Sequence, residues 1–198
     1  MGTRNLTAVY VDGEYRIAQY GQWDGYPDGQ GMTCLGFVRD DMDEKLFRER
    51  LKEVRFLTKE EIGELYKKYG EDEQGMIRLI DYDVLVRDHP GLSRDYGAKI
   101  LYEVQQGKVK ELSNAAPFAA EGMWCEWAYV IDLDKRTFEV FSGCTRFPLQ
   151  PGERFYEYHH MESDGYGGVH LRKSWNLDEL PSNEEFLKAF AYECEEEP

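Results

Sequence analysis

The sequence predicts an α+β fold: a mainly antiparallel sheet built from hairpins, with helices covering one face. Three observations carry this. Strand patterns bounded by turn residues stand at both ends of the chain, and helical patterns with capping residues stand between them. A composition of 41% apolar and 14% aromatic residues over 198 positions is enough for a sizeable core. The reading is one domain over residues 1–192, with a helical middle section at about 43–106 and an acidic frayed tail at 193–198.

Leu6 to Val11 and Glu14 to Tyr20 read as strands joined by the two-residue turn Asp12-Gly13. An unbroken register then sets Val11 opposite Glu14, Thr7 opposite Ala18 and Arg4 opposite Gly21. Gly25 to Gly31 reads as a loop and Gln30 to Val38 as the start of a short helix. A further helix is expected from about Asp43 to Val54. Thr58 and Glu61 form a capping box ahead of the stripe Ile62, Leu65, Tyr66 and Tyr69, and Gly70 stops that helix. Ser93 to Gln106 reads as another, with Tyr96, Ile100, Leu101 and Val104 on one face and Gly107 ending it.

The period then changes. Cys125 to Leu133 alternates, with Trp127, Tyr129 and Ile131 on one side, and Thr137 to Phe141 returns after the turn Asp134 to Arg136. A third hairpin is expected between Glu153 to His160 and Val169 to Ser174, across the loop Ser163 to Gly168. It sets Glu157 opposite Arg172 and His159 opposite His170. Ser182 and Glu185 cap a last helix bearing Phe186, Leu187, Phe190 and Ala191.

Composition bounds the function. No apolar run approaches a membrane span and the N-terminus lacks signal-peptide regions, so the expectation is a soluble, cytoplasmic protein without a membrane partner. The myristoylation pattern wants Ser or Thr at position 6 and finds Leu6. Cys34, Cys125, Cys144 and Cys194 show neither a C-x-x-C pair nor zinc-ligand spacing and read as free, packing thiols. The net charge is −15, of which −7 falls in residues 176–198 and only −2 in residues 1–58. Such a balance argues against direct nucleic-acid binding, which needs a basic surface.

The hairpin brings Gly2-Thr3-Arg4-Asn5 to the cluster Gln22 to Pro27, and this end is the candidate site. Three readings stand side by side. In one, the amides of Gly29 and Gly31 cradle an anion, Arg4 supplies charge, and Trp23 and Tyr26 stack on a ring. In the second, Asp24 and Asp28 form a catalytic or metal-binding pair. In the third, Trp23 anchors the loop, Arg4 pairs with Asp24, and the glycines serve turns.

Weaker patterns lie elsewhere. Thr3 as a terminal nucleophile fails because Met removal exposes Gly2. The stretch Glu71 to Ile77, with Asp81, has a calcium-loop outline but puts Gly70 at the first ligand position, so it reads as a solvated helix-helix connection. His159 and His170, with Glu157 or Asp164, offer a metal pair only if their strands face each other. A Cys125 and His pair has no supporting pattern, and nucleotide-fold, kinase and hydrolase-elbow motifs are absent. No cofactor is named by the residues, and they do not decide whether the chain is an enzyme.

The runs M-G-T-R-N-L-T, Q-Y-G-Q-W-D-G-Y-P-D-G-Q-G (19–31) and C-E-W-A-Y-V-I-D-L-D-K-R-T-F-E-V-F (125–141) resemble a family of uncharacterised proteins recurrent in tailed-bacteriophage genomes. The N-terminal hairpin alone, through a G-T-R-G-like start and a D-S-Y-P-G-like loop, also resembles uncharacterised fungal proteins. The resemblance brings no activity; it implies an accessory phage product working in host cytoplasm, where neutralising host defence or altering host metabolism is a common task.

Together these give two functional expectations. The first is a protein that binds a small polar or nucleotide-like ligand at Arg4, Asn5, Trp23, Asp24, Tyr26, Gly29 and Gly31, where binding and hydrolysis would leave the same pattern. The second is an acidic inhibitor that occupies a basic groove of a host nucleic-acid-binding protein, drawing on residues 176–198.

Overall fold

The computed structural model describes residues 2–162 and 165–191, so Asp164, Cys194 and the acidic tail lie outside the described residues. The strands are β1 (Asn5–Val11), β2 (Glu14–Gly21), the short β3 (Arg55–Phe56) and β4 (Glu111–Leu112), β5 (Trp127–Asp132), β6 (Thr137–Ser142) and β7 (His170–Asn176). The main sheet runs β2-β1-β5-β6-β7, and β3 pairs with β4 apart from it. All neighbours in the main sheet are antiparallel except β1 and β5, which run parallel from Asn5 beside Trp127 to Tyr10 beside Asp132. This is the expected α+β architecture with its long-range strand pairing.

The helices are α1 (Met32–Gly36), α2 (Glu44–Leu51), α3 (Lys59–Lys68), α4 (Leu79–Asp88), α5 (Ile100–Gln105) and α6 (Asn183–Lys188). One sheet face presents Val9, Ile17, Tyr129, Ile131, Phe138 and Val140 to a core with Leu35, Phe47, Leu51, Leu101, Val104 and Phe186 from α1, α2, α5 and α6. Burial of each such side chain contributes about 1.5–3 kcal/mol. The opposite face carries Leu6, Ala8, Ala18, Ala128, Val130 and Phe141, covered by Ala116, Ala119, Ala120 and Phe155 from irregular segments. Central β1 is thus covered on both faces. Leu57, Leu85 and Leu92 form a third, smaller core where α3 meets α4.

Local rules hold where they were read locally. Asp12 and Gly13 take φ of 55° and 81°, the positive values a tight hairpin turn needs. Both capping boxes form, Thr58 with Glu61 and Ser182 with Glu185. Trp127, Tyr129 and Ile131 share one face of β5, and β5 turns into β6 as expected.

Four expectations are corrected. A bulge after Val9 places Ile17 rather than Arg16 opposite it, so Thr7 faces Gln19 and Asn5, not Arg4, faces Gly21. The third hairpin does not form. Tyr156–Met161 winds into a 3-10 turn behind the buried Phe155, and β7 pairs instead with the outer edge of β6, Ser142 beside His170, satisfying backbone groups that β6 would otherwise leave open. The expected helix at 93–106 begins only at Ile100, because Gly97 sits at φ +49° and breaks the winding. The helical stretch beginning at Gln30 is longer than read: wide turns at Pro27–Gly31 and Phe37–Asp41 flank α1. Helix α4 carries no assignment in the sequence reading. Among the described residues no helix is long and apolar enough to cross a membrane.

Candidate functional site

The bend after β2 is tied down almost atom by atom. Gln22 N donates to Arg94 O (2.9 Å), and Gly25 N donates to Thr3 O (3.0 Å). Gly25 O accepts from the buried Tyr129 hydroxyl at 2.7 Å. Asn5, wholly buried on β1, donates its side-chain amide to Gly21 O and Trp23 O, each at 3.3 Å. Gln30 closes the far side: its Nε2 donates to Trp23 O (3.3 Å) and its Oε1 accepts from Ala98 N (2.7 Å). Asp24 adopts φ +55°, the left-handed region that Asp tolerates better than most residues.

This scaffold holds Trp23 and Tyr26 about half exposed, at 51% and 52%. The indole does not swing freely, since Trp23 Nε1 donates to Asp95 Oδ1 at 2.9 Å and the ring packs on Gly2, where a Cβ would lie 2.2 Å from Trp23 Cε3. Beside them opens a depression of about 570 Å³, lined by Trp23, Asp24, Tyr26, Asp28, Gln30 and Lys99 among others. Asp95 also lines it, so three carboxylates face one amine.

No protein-family model, no curated protein and no solved structure matches this chain. The chemistry of the site therefore rests on its geometry.

Of the residues read from sequence, Trp23, Asp24, Tyr26 and Gly29 line the depression. Asn5 stands behind it as a brace. Gly31 is buried against Tyr129, whose ring would be 2.9 Å from a Cβ there. Arg4 is elsewhere: its guanidinium lies over Trp124, 4.5 Å from the ring centroid, and its backbone N–H donates to Glu126 Oε1. The anion cradle is corrected for a second reason. The amides of Gly29 and Gly31 both donate to Tyr26 O, at 3.0 and 3.3 Å, leaving neither for a ligand. Gln30, Thr33, Asp95, Tyr96 and Lys99 complete the wall and were not read as site residues. Gly97 inside a supposed helix was the one signal that this segment bends back.

The weaker candidates separate. Among the described residues no group of three or more His, Cys, Asp or Glu side chains is placed to hold a metal ion. His159 is exposed with Nδ1 against Tyr156 O at 2.8 Å, whereas His170 meets Glu153 Oε1 and Phe147 O at 2.8 and 2.9 Å. Segment 71–78 joins α3 to α4, with Asp72 Oδ1 accepting from the amides of Gln74 and Met76. Thr3 is buried. Burial pushes the Cys125 thiol well above its ordinary range, opposite to what a nucleophile needs.

A second polar cluster, unread in the sequence, sits at the other end of β5. Arg154 donates from Nε and Nη2 to Glu139 (2.5 and 2.9 Å) and from Nη2 to Asp132, and its guanidinium lies 5.4 Å from the Tyr10 ring centroid. Asp132 Oδ1 accepts from the amides of Asp134 and Lys135. These carboxylates are filled by protein donors, and the cluster fastens the 143–162 segment to the sheet.

Proposed function

We propose that the hairpin-end depression binds a small polar ligand with a ring and several hydroxyl or amino donors. The observation that carries this is the pinned, half-exposed indole: Trp23 keeps 51% of its surface in water while its N–H is fixed on Asp95. Leaving that much aromatic surface exposed forgoes burial, and fixing its orientation supplies a stacking platform at little entropic cost on binding. Tyr26 offers a second ring across the same depression. Asp24, Asp28 and Asp95 accept from ligand hydroxyl or amino groups, and among the described residues lining the depression Lys99 is the single cation. A nucleoside or sugar suits this lining. A phosphate group meets carboxylates instead of amides, so the nucleotide-like expectation narrows to the nucleoside end. The accessory-phage, counter-defence setting is proposed on the resemblance of the three sequence runs alone.

Calorimetric titration with nucleosides, nucleoside monophosphates, cyclic dinucleotides and methyl glycosides tests the reading. The expected result is heat from at least one unphosphorylated member, weakened at least tenfold by Trp23→Ala and unchanged by Arg4→Ala. No heat from any member with the wild type, or heat indifferent to Trp23→Ala, overturns it.

A further inference from the structure

A separate cavity of about 530 Å³ lies where α3 and α4 face β2, with Ile62, Tyr66, Ile77, Tyr82 and Leu92 on its walls. The volume falls in the range of small-molecule sites, about 300–1,000 Å³. Helix α3 contains no fully buried residue. Its apolar stripe packs toward α4 through Leu57, Leu85 and Leu92 and leaves the space against the sheet unfilled.

Two polar groups in this lining point to an occupant. Gln19 on β2 is only 4% exposed. Its Nε2 donates to Ser93 O at 2.7 Å and to Tyr20 O at 3.2 Å. Two carbonyl acceptors fix which end of the amide is nitrogen, because a flipped amide would set oxygen against oxygen. Gln19 Oε1 is then left buried with no hydrogen-bond partner, an acceptor waiting for an N–H or O–H. At the mouth stands Arg94, whose guanidinium lies 5.9 Å from the Tyr20 ring centroid and makes no ion pair among the described residues. Tyr66 and Tyr82 also line the cavity, burial holding both hydroxyls above their ordinary pKa, and the Tyr82 hydroxyl donates to Leu92 O at 3.4 Å.

We infer that this cavity is a second ligand site, for a small amphipathic molecule with an apolar ring-bearing body, one N–H or O–H donor for Gln19 Oε1 and an anionic group for Arg94. The inference is independent of the Trp23 site, which lines a different depression and is predominantly acidic.

The probe 8-anilinonaphthalene-1-sulfonate carries all three features: two aryl systems, one N–H and one sulfonate. Fluorescence titration of the full chain is expected to show saturable one-to-one binding with a blue shift. Binding weakens at least tenfold in Arg94→Gln and in Ala115→Phe, which fills the cavity, and is unchanged in Trp23→Ala. The wild type alone gives a second readout: the Gln19 side-chain amide resonances shift on addition of the probe. Absence of saturable binding, binding indifferent to both cavity variants, loss with Trp23→Ala, or an unmoved Gln19 amide each overturns the site. Lone water on Gln19 Oε1 predicts those same negative results.

Discussion

Asn5 faces Gly21 across the first hairpin, and its carboxamide occupies the space that a side chain at 21 would need: a Cβ there would lie 2.6 Å from Asn5 Nδ2. The pair acts as one part. Asn5→Ala removes the side-chain donor to Gly21 O and one of the two side-chain donors to Trp23 O, which keeps Gln30 Nε2, at a cost of about 1–3 kcal/mol. Gly21→Ala drives a methyl into a pinned amide, costing about 1–3 kcal/mol by overpacking. The double variant is expected to be more stable than the sum of the two losses, since removal of the amide makes room for the methyl. Urea unfolding of all four proteins measures the coupling, and simple additivity would show that the two residues do not share this space.

That pair also marks where the sequence stopped being readable. The Asp12-Gly13 turn, the two capping boxes and the β5-β6 hairpin depend on residues within a few positions of one another, and each appears as read. The bulge at Arg16 does not follow from local pattern. One extra residue shifts every later pairing by one, which exchanged Arg4 for Asn5 at the position opposite Gly21 and, with it, a cation for a buried amide. Trp23, Asp24 and Tyr26 were legible as a cluster because they are contiguous. Their partners were not: Asp95 lies 72 positions from Trp23, brought there by strand-edge contacts no local period encodes. The expected pairing of His159 with His170 failed for a related reason, since an edge of β6 competed for β7 and won.

Arg154 bridges Asp132 and Glu139 with side-chain exposures of 9%, 0% and 9%. Arg154→Met strands two carboxylates in a dry environment and is expected to cost about 3–5 kcal/mol. Adding Glu139→Gln to Arg154→Met removes one of the stranded charges and recovers part of that loss. Chemical denaturation of the single and double variants decides it, and a double variant less stable than Arg154→Met would show that Glu139 is held by something other than the arginine.

Asp134 joins the two hairpin turns: its carboxylate accepts from Asp12 N at 3.0 Å and Gly13 N at 2.9 Å. The Gly13 amide above all, with that of Asp12, holds this carboxyl below the ordinary carboxylate range. A carboxyl depressed on folding stabilises the native state above its unfolded pKa, near 3.9, and loses that contribution as pH falls through the lower folded value. The stability gap between wild type and Asp134→Asn is therefore expected to be widest near neutrality and to close as acid protonates the folded-state carboxyl. Unfolding curves at several pH values test the sign; a gap that widens with acid would place the carboxylate's contribution elsewhere.

Cysteine reactivity reports how tightly the two faces of the sheet are closed. Cys34 is buried beneath β1, its Sγ 3.9 Å from Thr7 Oγ1, and burial pushes its thiol up to about 12. Cys125 is buried in the opposite core, while Cys144 is exposed. Because only thiolate attacks a disulfide reagent, burial suppresses both access and ionisation at the first two positions. In a Cys194→Ser background, dithionitrobenzoate is expected to titrate one thiol quickly, and Cys144→Ser abolishes that phase. The other two react at a rate that rises with denaturant in step with unfolding. A second fast thiol in the native protein would mean that one sheet face opens locally, and comparing Cys34→Ser with Cys125→Ser would identify which cover, the helices or the irregular segments, lifts first.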